Sequence, residues 1–138
     1  MVTINGFVPP GWPSAVLPPG ARGWEASAAT FLFDCCPADL RGYRVLRNHP
    51  IVLAQFAKRF VSGQHTTIAE GLAEVRVSLG REVAPEVLDA AAEAWLRQGA
   101  QLELTRRAVG LVDDALRGTR FVPKLHRGGQ QGGRTNDP

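Results

Sequence analysis

The fold is decided by residues 85–117, which read PEVLDAAAEAWLRQGAQLELTRRAVGLVDDALR. Along this stretch a mostly apolar stripe recurs at alternating steps of three and four, which is a heptad register over four repeats. The stripe consists of Leu88, Ala91, Trp95, Gln98, Leu102, Thr105, Val109, Val112 and Leu116. Pro85 and Glu86 form a favourable opening for a helix, and Gly118 is typical of the position just past a helix end. The pattern predicts a helix from Pro85 to Arg117.

A second apolar line lies beside this stripe on the same predicted helix. It consists of Leu96, Ala100, Leu104, Ala108, Leu111 and Ala115. Together the two lines make an apolar face that is wider than a two-stranded seam needs. We therefore expect this helix to pack against more than one neighbour.

A related pattern precedes it, between residues 50 and 79. Its stripe consists of Leu53, Ala57, Phe60, Gln64, Ile68, Leu72, Val75 and Leu79. We expect Asn48 to be the N-cap, Pro50 to be an early helical residue and Gly80 to end the helix. Two helices of about 30 residues, separated by a short turn, form an antiparallel hairpin as their natural arrangement.

Two glycines lie inside the pattern of the first long helix, and each costs about 1 kcal/mol relative to alanine. Gly63 and Gly71 therefore indicate a bend, a break around Ser62 and Gly63, or a close approach of a neighbouring helix. Three polar residues occupy stripe positions: Gln64, Gln98 and Thr105. Polar residues at such positions often fix the register of a specific pairing, so we expect either a buried network or an exposed edge here.

Residues 1–24 form a Pro- and Gly-rich arm, in which Pro9-Pro10 and Pro18-Pro19 favour extended backbone. The arm also carries large apolar residues that a solvated linker does not need: Phe7, Val8, Trp12, Val16, Leu17 and Trp24. We expect part of the arm to lie across apolar surface of the helical body or of a partner. The alternative is a disordered arm, because proline and glycine are both enriched.

Residues 25–36 have apolar positions spaced by three and four, which predicts a short amphipathic helix ended by Pro37. Residues 119–125 read TRFVPKL and favour an extended segment packed back on the body through Phe121 and Leu125. We therefore predict an all-α fold: a helical domain over 25–125 with a long antiparallel hairpin and a short N-terminal helix. Residues 126–138 form a basic Gly-rich tail that we expect to be disordered.

The net charge of +3 lies mostly in the C-terminal part of the chain. Residues 119–138 carry four basic residues and one acid, whereas residues 81–118 carry five basic residues and seven acids. Fourteen of the sixteen basic residues are Arg, which together with abundant Ala and Gly is typical of a GC-rich genome. The segment from Trp24 to Leu125 resembles bacterial proteins in a general way that implies neither a family nor an activity.

The strongest local charge feature is Arg41, Arg44 and Arg47, spaced by three around Tyr43. If this segment is helical, the three guanidinium groups share one face and can bind phosphates or an acidic partner helix. If the segment is extended, the three guanidinium groups point in different directions. The C-terminal part adds Arg120, Lys124, Arg127 and Arg134. These residues support an alternative function, a nucleic-acid-binding accessory protein.

Patterns for catalysis and metal binding are weak. Cys35 and Cys36 are adjacent, so they point in different directions on a helix and lack the spacing of paired zinc ligands. An enzymatic or metal site at Cys36 and His49 is a third alternative that depends on residue types alone. The sequence contains no Walker-type loop and no G-x-G-x-x-G pattern. We therefore expect neither enzymatic activity nor a cofactor.

The sequence also bears on the compartment. No apolar run approaches the roughly 20 residues that cross a bilayer, and the N-terminus lacks the pattern of a secretory signal. Two adjacent cysteines cannot form a framework of spaced disulfides. We expect a cytoplasmic protein without a membrane partner.

The wide apolar face is the feature that best indicates a function. We predict a non-enzymatic helical interaction or scaffold module, which self-associates or binds a protein partner. On this prediction the partner-binding residues are Trp95, Leu102 and Val109 on the apolar face, and Arg41, Arg44 and Arg47 in the basic cluster.

Overall fold

The computed structural model describes residues 6–123, and this part of the chain contains helices and no strands. Four α-helices follow in chain order: α1 (Trp24–Asp34), α2 (Arg44–Asn48), α3 (Pro50–Leu79) and α4 (Pro85–Leu116). A 3₁₀ helix, Ala38–Gly42, connects α1 to α2. The predicted all-α class is confirmed. The predicted tail at 126–138 lies outside the described residues.

The two long helices α3 and α4 form an antiparallel pair. Side chains that meet across the pair have rising numbers on α3 and falling numbers on α4: Lys58 with Asp113, His65 with Glu103, and Arg76 with Asp89. The turn at residues 80–84 joins the two helices at one end. The predicted long antiparallel hairpin is therefore confirmed.

The start of α3 differs from the prediction at one residue. Asn48 is the last residue of α2, and the residue before α3 is His49, whose side chain makes no capping hydrogen bond. The prediction of Asn48 as N-cap is wrong because the residue before a proline is disfavoured in the helical region. His49 accordingly has φ −130° and ψ 82° ahead of Pro50, and its carbonyl accepts the N–H of Leu53.

The glycines inside α3 and the glycine after α4 have different effects on the helices. α3 is continuous through Gly63 and Gly71, so the chain does not break at residues 62–63. At the end of α4, Gly118 has φ +94°, a left-handed conformation that glycine adopts without steric cost. Its N–H donates to the carbonyl of Ala115, which satisfies one of the free carbonyls of the last turn.

The arm packs on the helical body, and its backbone is more folded than the expected extended chain. Three turns follow one another, closed by hydrogen bonds from Trp12 to Pro9, from Val16 to Pro13 and from Ala21 to Pro18. The prolines cannot donate but their carbonyls can accept, so each turn uses a proline carbonyl. Val16 is buried in the core as a result.

Two contacts fix the arm on the rest of the chain, one to α1 and one to the segment after α4. The N–H of Leu17 donates to Oγ of Ser27 on α1, at 3.0 Å. The Trp12 ring meets the Phe121 ring edge to face, with centroids 5.8 Å apart. The expected contact of the 119–125 segment through Phe121 is therefore present, whereas Leu125 lies outside the described residues.

The core is concentrated at one end of the hairpin, which we call the base and define as residues 6–61 and 102–123. There α1 and the arm cover α3 and α4. Its buried apolar residues include Val16, Ala28, Leu32, Phe33, Leu46, Leu53, Ala54, Ala57, Val61, Leu102, Val109 and Val112.

The tip, residues 62–101, is a pair of helices and their turn. Of its apolar side chains Leu88 alone is buried, while Ile68, Leu72, Val75 and Trp95 are half-buried. No described helix has the length and apolar character to cross a membrane.

Candidate functional site

The predicted apolar partner-binding residues lie between the two long helices. Val109 is fully buried and Leu102 is nearly so, and both belong to the core at the base. Trp95 is half-buried at the tip, and its indole N–H donates to the carbonyl oxygen of Ile68. These three residues pack α3 and α4 against each other, so a partner reaches the fully buried Val109 only if the hairpin opens.

Gly71 is the glycine that the packing of Trp95 requires. A Cβ atom at this position would lie 2.5 Å from Cζ2 of the Trp95 ring. The sequence left open a bend, a break or the close approach of a neighbouring helix, and the close approach therefore applies to Gly71. Gly63, in contrast, has open space where a side chain would stand.

The apolar surface that remains available lies on α3. Val52 is 40% exposed, Phe56 is 42% exposed, and Phe60 is half-buried beside them. These residues follow one another at steps of four, so they lie on one side of the helix. We call this set the α3 patch.

A shallow groove of about 530 Å³ continues the α3 patch towards the tip. Phe60, Ile68 and Leu102 supply apolar lining, and Arg59 and Gln98 supply polar lining. A second depression of about 380 Å³ is lined by Gln55, Phe56, Arg59 and Phe60. The two depressions together form an open apolar channel, a shape that suits a helix or an extended chain better than an enclosed small molecule.

Sequence reasoning assigned Phe60 to the inward stripe and missed Val52 and Phe56. The spacing of four from Val52 through Phe56 to Phe60 is visible in the sequence and could have indicated a second apolar line on α3. The exposure of that line could not have been inferred, because it depends on where α1 and the arm pack.

Other large apolar side chains are exposed on α4 and at the tip. Leu96, Leu104 and Val87 on α4 and Val77 on α3 are each more than half exposed, and Val77 is 86% exposed. Leu96 and Leu104 belong to the second apolar line of α4, whose members Ala108 and Ala115 are buried at the base. The same line is therefore exposed from Leu96 to Leu104 and becomes buried or half-buried from Ala108 to Ala115.

The three arginines of the basic cluster lie on two separate elements. Arg41 lies in the 3₁₀ helix and forms an ion pair with Asp34, whereas Arg44 and Arg47 lie in the single turn of α2. Tyr43, between them, is extended, with φ −86° and ψ 112°. Because of this interruption the three residues do not form one continuous helical face. Lys124, Arg127 and Arg134 lie outside the described residues.

The cysteine pair lies at the end of α1, and both side chains are half-buried thiols. Burial, with smaller effects of Cys36 and Asp34, raises the pKa of the Cys35 thiol to about 11. Burial also raises the pKa of Cys36, and the nearby Arg41 partly opposes this. Since the thiolate is the nucleophile and the metal ligand, both residues are poorly reactive at neutral pH.

The remaining member of that third alternative, His49, is exposed before α3. Within residues 6–123, no group of three or more His, Cys, Asp or Glu side chains is placed to hold a metal ion.

Asp113 is a buried charged residue, with 2% of its surface exposed. It accepts from Nζ of Lys58 at 3.1 Å and from Nε of Arg117 at 3.0 Å, and the Gln55 amide lies 3.5 Å away. The two cations are about half exposed, so they remain hydrated on their outer sides. This arrangement ties α3 to α4 at the base and has a structural role.

Two of the three polar stripe residues lie at an exposed edge. Gln64 and Gln98 are exposed, and the hydroxyl of Thr105 donates to the carbonyl of Gln101 within α4. Of the two interpretations that the sequence left open, the exposed edge therefore applies to Gln64 and Gln98, while Thr105 is half-buried and bonds within its own helix.

Comparison of the chain with known protein families, with curated proteins and with solved structures finds no match.

Proposed function

We propose that the chain is a non-enzymatic helical interaction module, which associates with a helix of a second copy or of a partner protein through an exposed apolar face of α3. The observation that supports this proposal is the α3 patch. Its two outer residues are 40–42% exposed on a hairpin that packs its principal apolar stripe inside.

The α3 patch is continuous with the groove between α3 and α4, because Phe60 lines both depressions; their apolar lining extends from Phe56 to Ile68. Single exposed apolar residues are ordinary on protein surfaces, but contiguous apolar surface marks interaction sites. Arg59 and Gln98 border the groove, which gives the apolar centre a polar rim, as protein interfaces have.

The proposal is tested by site-specific cross-linking in the producing cells. A photoreactive phenylalanine analogue is placed at position 56, and the control carries it at Gln101, an exposed polar position of α4. We expect discrete cross-linked products from position 56, to the chain itself or to another protein, and none from position 101. The products should disappear when Val52 is changed to Asp.

Products that form equally at both positions, or that persist in the Val52→Asp chain, would contradict the proposal. Equal circular dichroism spectra and melting temperatures of the compared chains show that the helical hairpin is retained in each.

A second candidate function is nucleic-acid binding, and one observation favours it. Arg44 and Arg47 are exposed one turn apart on α2, beside Tyr43, which is 56% exposed. Arginines bind phosphates and exposed aromatic rings stack on bases.

Its test is fluorescence anisotropy with single-stranded DNA and RNA at two salt concentrations. If these arginines bind phosphates, the association constant falls steeply with salt, and the Arg44→Ala, Arg47→Ala double variant lowers the salt slope by about two. An association constant that hardly changes with salt would rule this candidate out.

A further inference from the structure

The outer face of α3 carries a second heptad pattern. Its positions follow at alternating steps of four and three: Val52, Phe56, Arg59, Gly63, Thr66, Glu70, Ala73 and Val77. Every one of these residues is exposed. We call this set the α3 outer face. It extends over nearly the whole helix, about 40 Å at 1.5 Å per residue.

The order of residues along the α3 outer face is self-complementary when the helix is paired with an antiparallel copy of itself. In such a pairing the first residue of one copy lies opposite the last residue of the other, the second lies opposite the second-to-last, and so on to the middle of the helix. The four pairs are Val52 with Val77, Phe56 with Ala73, Arg59 with Glu70, and Gly63 with Thr66.

Each pair is chemically suited to contact. Two valines meet at the ends, and the large Phe56 meets the small Ala73. The opposite charges of Arg59 and Glu70 meet next to the centre, and neither side chain forms an ion pair with another residue of the described part of the chain. At the centre, small residues allow the backbones to approach, since a Cβ placed at Gly63 would meet nothing within 4 Å.

A twofold axis requires this kind of pattern, because in an isologous interface residue i contacts residue j and j contacts i. A parallel pairing of the same helices would instead place Arg59 against Arg59 and Glu70 against Glu70. Like charges placed opposite each other are destabilising, so the charges select the antiparallel arrangement.

We propose that two copies of the chain associate through antiparallel packing of the α3 outer face, with the twofold axis between Gln64 and His65. This inference rests on the proposed function and names the partner as a second copy. The resulting assembly contains four long helices, and it covers Val77, which is 86% exposed in the single chain. Phe56 of the α3 patch is covered by the same contact.

The experiment that tests the pairing is a charge swap measured by sedimentation. The Arg59→Glu and Glu70→Arg variants each place like charges opposite each other twice in the dimer, and we expect roughly tenfold weaker association or more. The double variant restores opposite charges and should recover the wild-type dissociation constant. Arg44→Glu and Glu25→Arg are matched controls outside α3 and should leave association unchanged.

A second measurement reports the register directly and does not depend on affinity. Chains with Val52→Cys are mixed with chains with Val77→Cys and oxidised with glutathione disulfide. We expect a mixed disulfide dimer, and little product from either chain alone, because residue 52 of one copy lies opposite residue 77 of the other. Cys35 and Cys36 are changed to Ser in all chains.

The outcomes separate this inference from the proposed function. A wild-type chain that sediments as a monomer at every concentration overturns the pairing, while cross-linking from position 56 to another protein would still support the proposed function. A wild-type dimer that is insensitive to both single charge reversals, or that is not recovered by the double variant, overturns the antiparallel register. Absence of both dimer and cross-links overturns both.

Discussion

The base and the tip of the hairpin are built from the same two helices but differ in what covers them. At the base, α1 and the arm pack over α3 and α4, and Leu53, Val61 and Val109 are buried. At the tip, Leu88 is the one buried apolar side chain, and Ile68, Leu72, Val75 and Trp95 are half-buried. The difference shows that a third layer, not the helix pairing alone, produces a buried core in this chain.

The base and the tip should differ in local stability. Regions with few buried apolar contacts open more easily than regions with many. The tip should therefore exchange its amide hydrogens faster than the base. A second copy packed on the α3 outer face would supply part of the missing cover.

The largest difference is expected for one substitution made at both ends. Leu53→Ala removes a fully buried side chain at the base and should lower the free energy of unfolding by about 3 kcal/mol. Leu72→Ala removes a half-buried side chain at the tip and should lower it by about 1 kcal/mol. Urea denaturation measures both. Equal losses would show that the tip is as well packed as the base.

Loss of an ion pair should also lower the free energy of unfolding more at the base than at the tip. Asp113→Ala leaves Lys58 and Arg117 without their shared buried carboxylate, so we expect a loss of about 2 kcal/mol. Asp89→Ala breaks an exposed pair with Arg76 at the tip and should cost about 0.5 kcal/mol or less. Thermal denaturation at two salt concentrations checks this, since salt should reduce the contribution of the exposed pair more.

Glycine substitutions should have opposite signs at the two ends. Gly71→Ala at the tip introduces a Cβ against the Trp95 ring and should destabilise the fold by about 1 kcal/mol, although alanine favours a helix. Gly110→Ala at the base meets open space and should stabilise by about 0.5 to 1 kcal/mol. Urea denaturation distinguishes the signs. A stabilising Gly71→Ala would mean that Trp95 does not pack as described.

The last difference concerns the thiols at the base, whose effect on stability is confined to alkaline pH. Because the pKa of Cys35 is raised from its ordinary value of 9.0 to about 11, the folded state is less stable relative to the unfolded state as pH rises from 9 to 11. Below pH 9 this contribution is constant. Alkylation of Cys35 should stay slow until the pH approaches 11, whereas a Ser78→Cys thiol at the exposed tip should react at the pH of an ordinary thiol. Rapid labelling of Cys35 at neutral pH would contradict its burial.

Several elements of the fold could be predicted because their signals are local. Pro50 and Pro85 begin the long helices, Gly118 follows the last one, and apolar stripes at steps of three and four predict both helices. The turns of the arm could not be predicted in the same way. Proline favours extended backbone locally, but the burial of Val16 and the contact of Trp12 with Phe121 draw the arm into turns.

The sequence predicts partner-binding residues on the apolar face of α4, and this face packs largely within the chain. Trp95, Leu102 and Val109 were chosen because they lie on the strictest apolar stripe, and a stripe of this kind serves equally well for packing within a chain and between chains. The structure uses it within the chain. The apolar side chains left exposed on α3 include Val52 and Phe56 of the α3 patch.

The sequence by itself determined the all-α class, the two long helices and the short turn that makes them antiparallel, because helix periodicity and end signals act between neighbours in the chain. The tertiary structure alone decided which apolar residues are buried and which are left exposed. That decision depends on where the arm and α1 pack, and contacts between residues distant in sequence have no local signal.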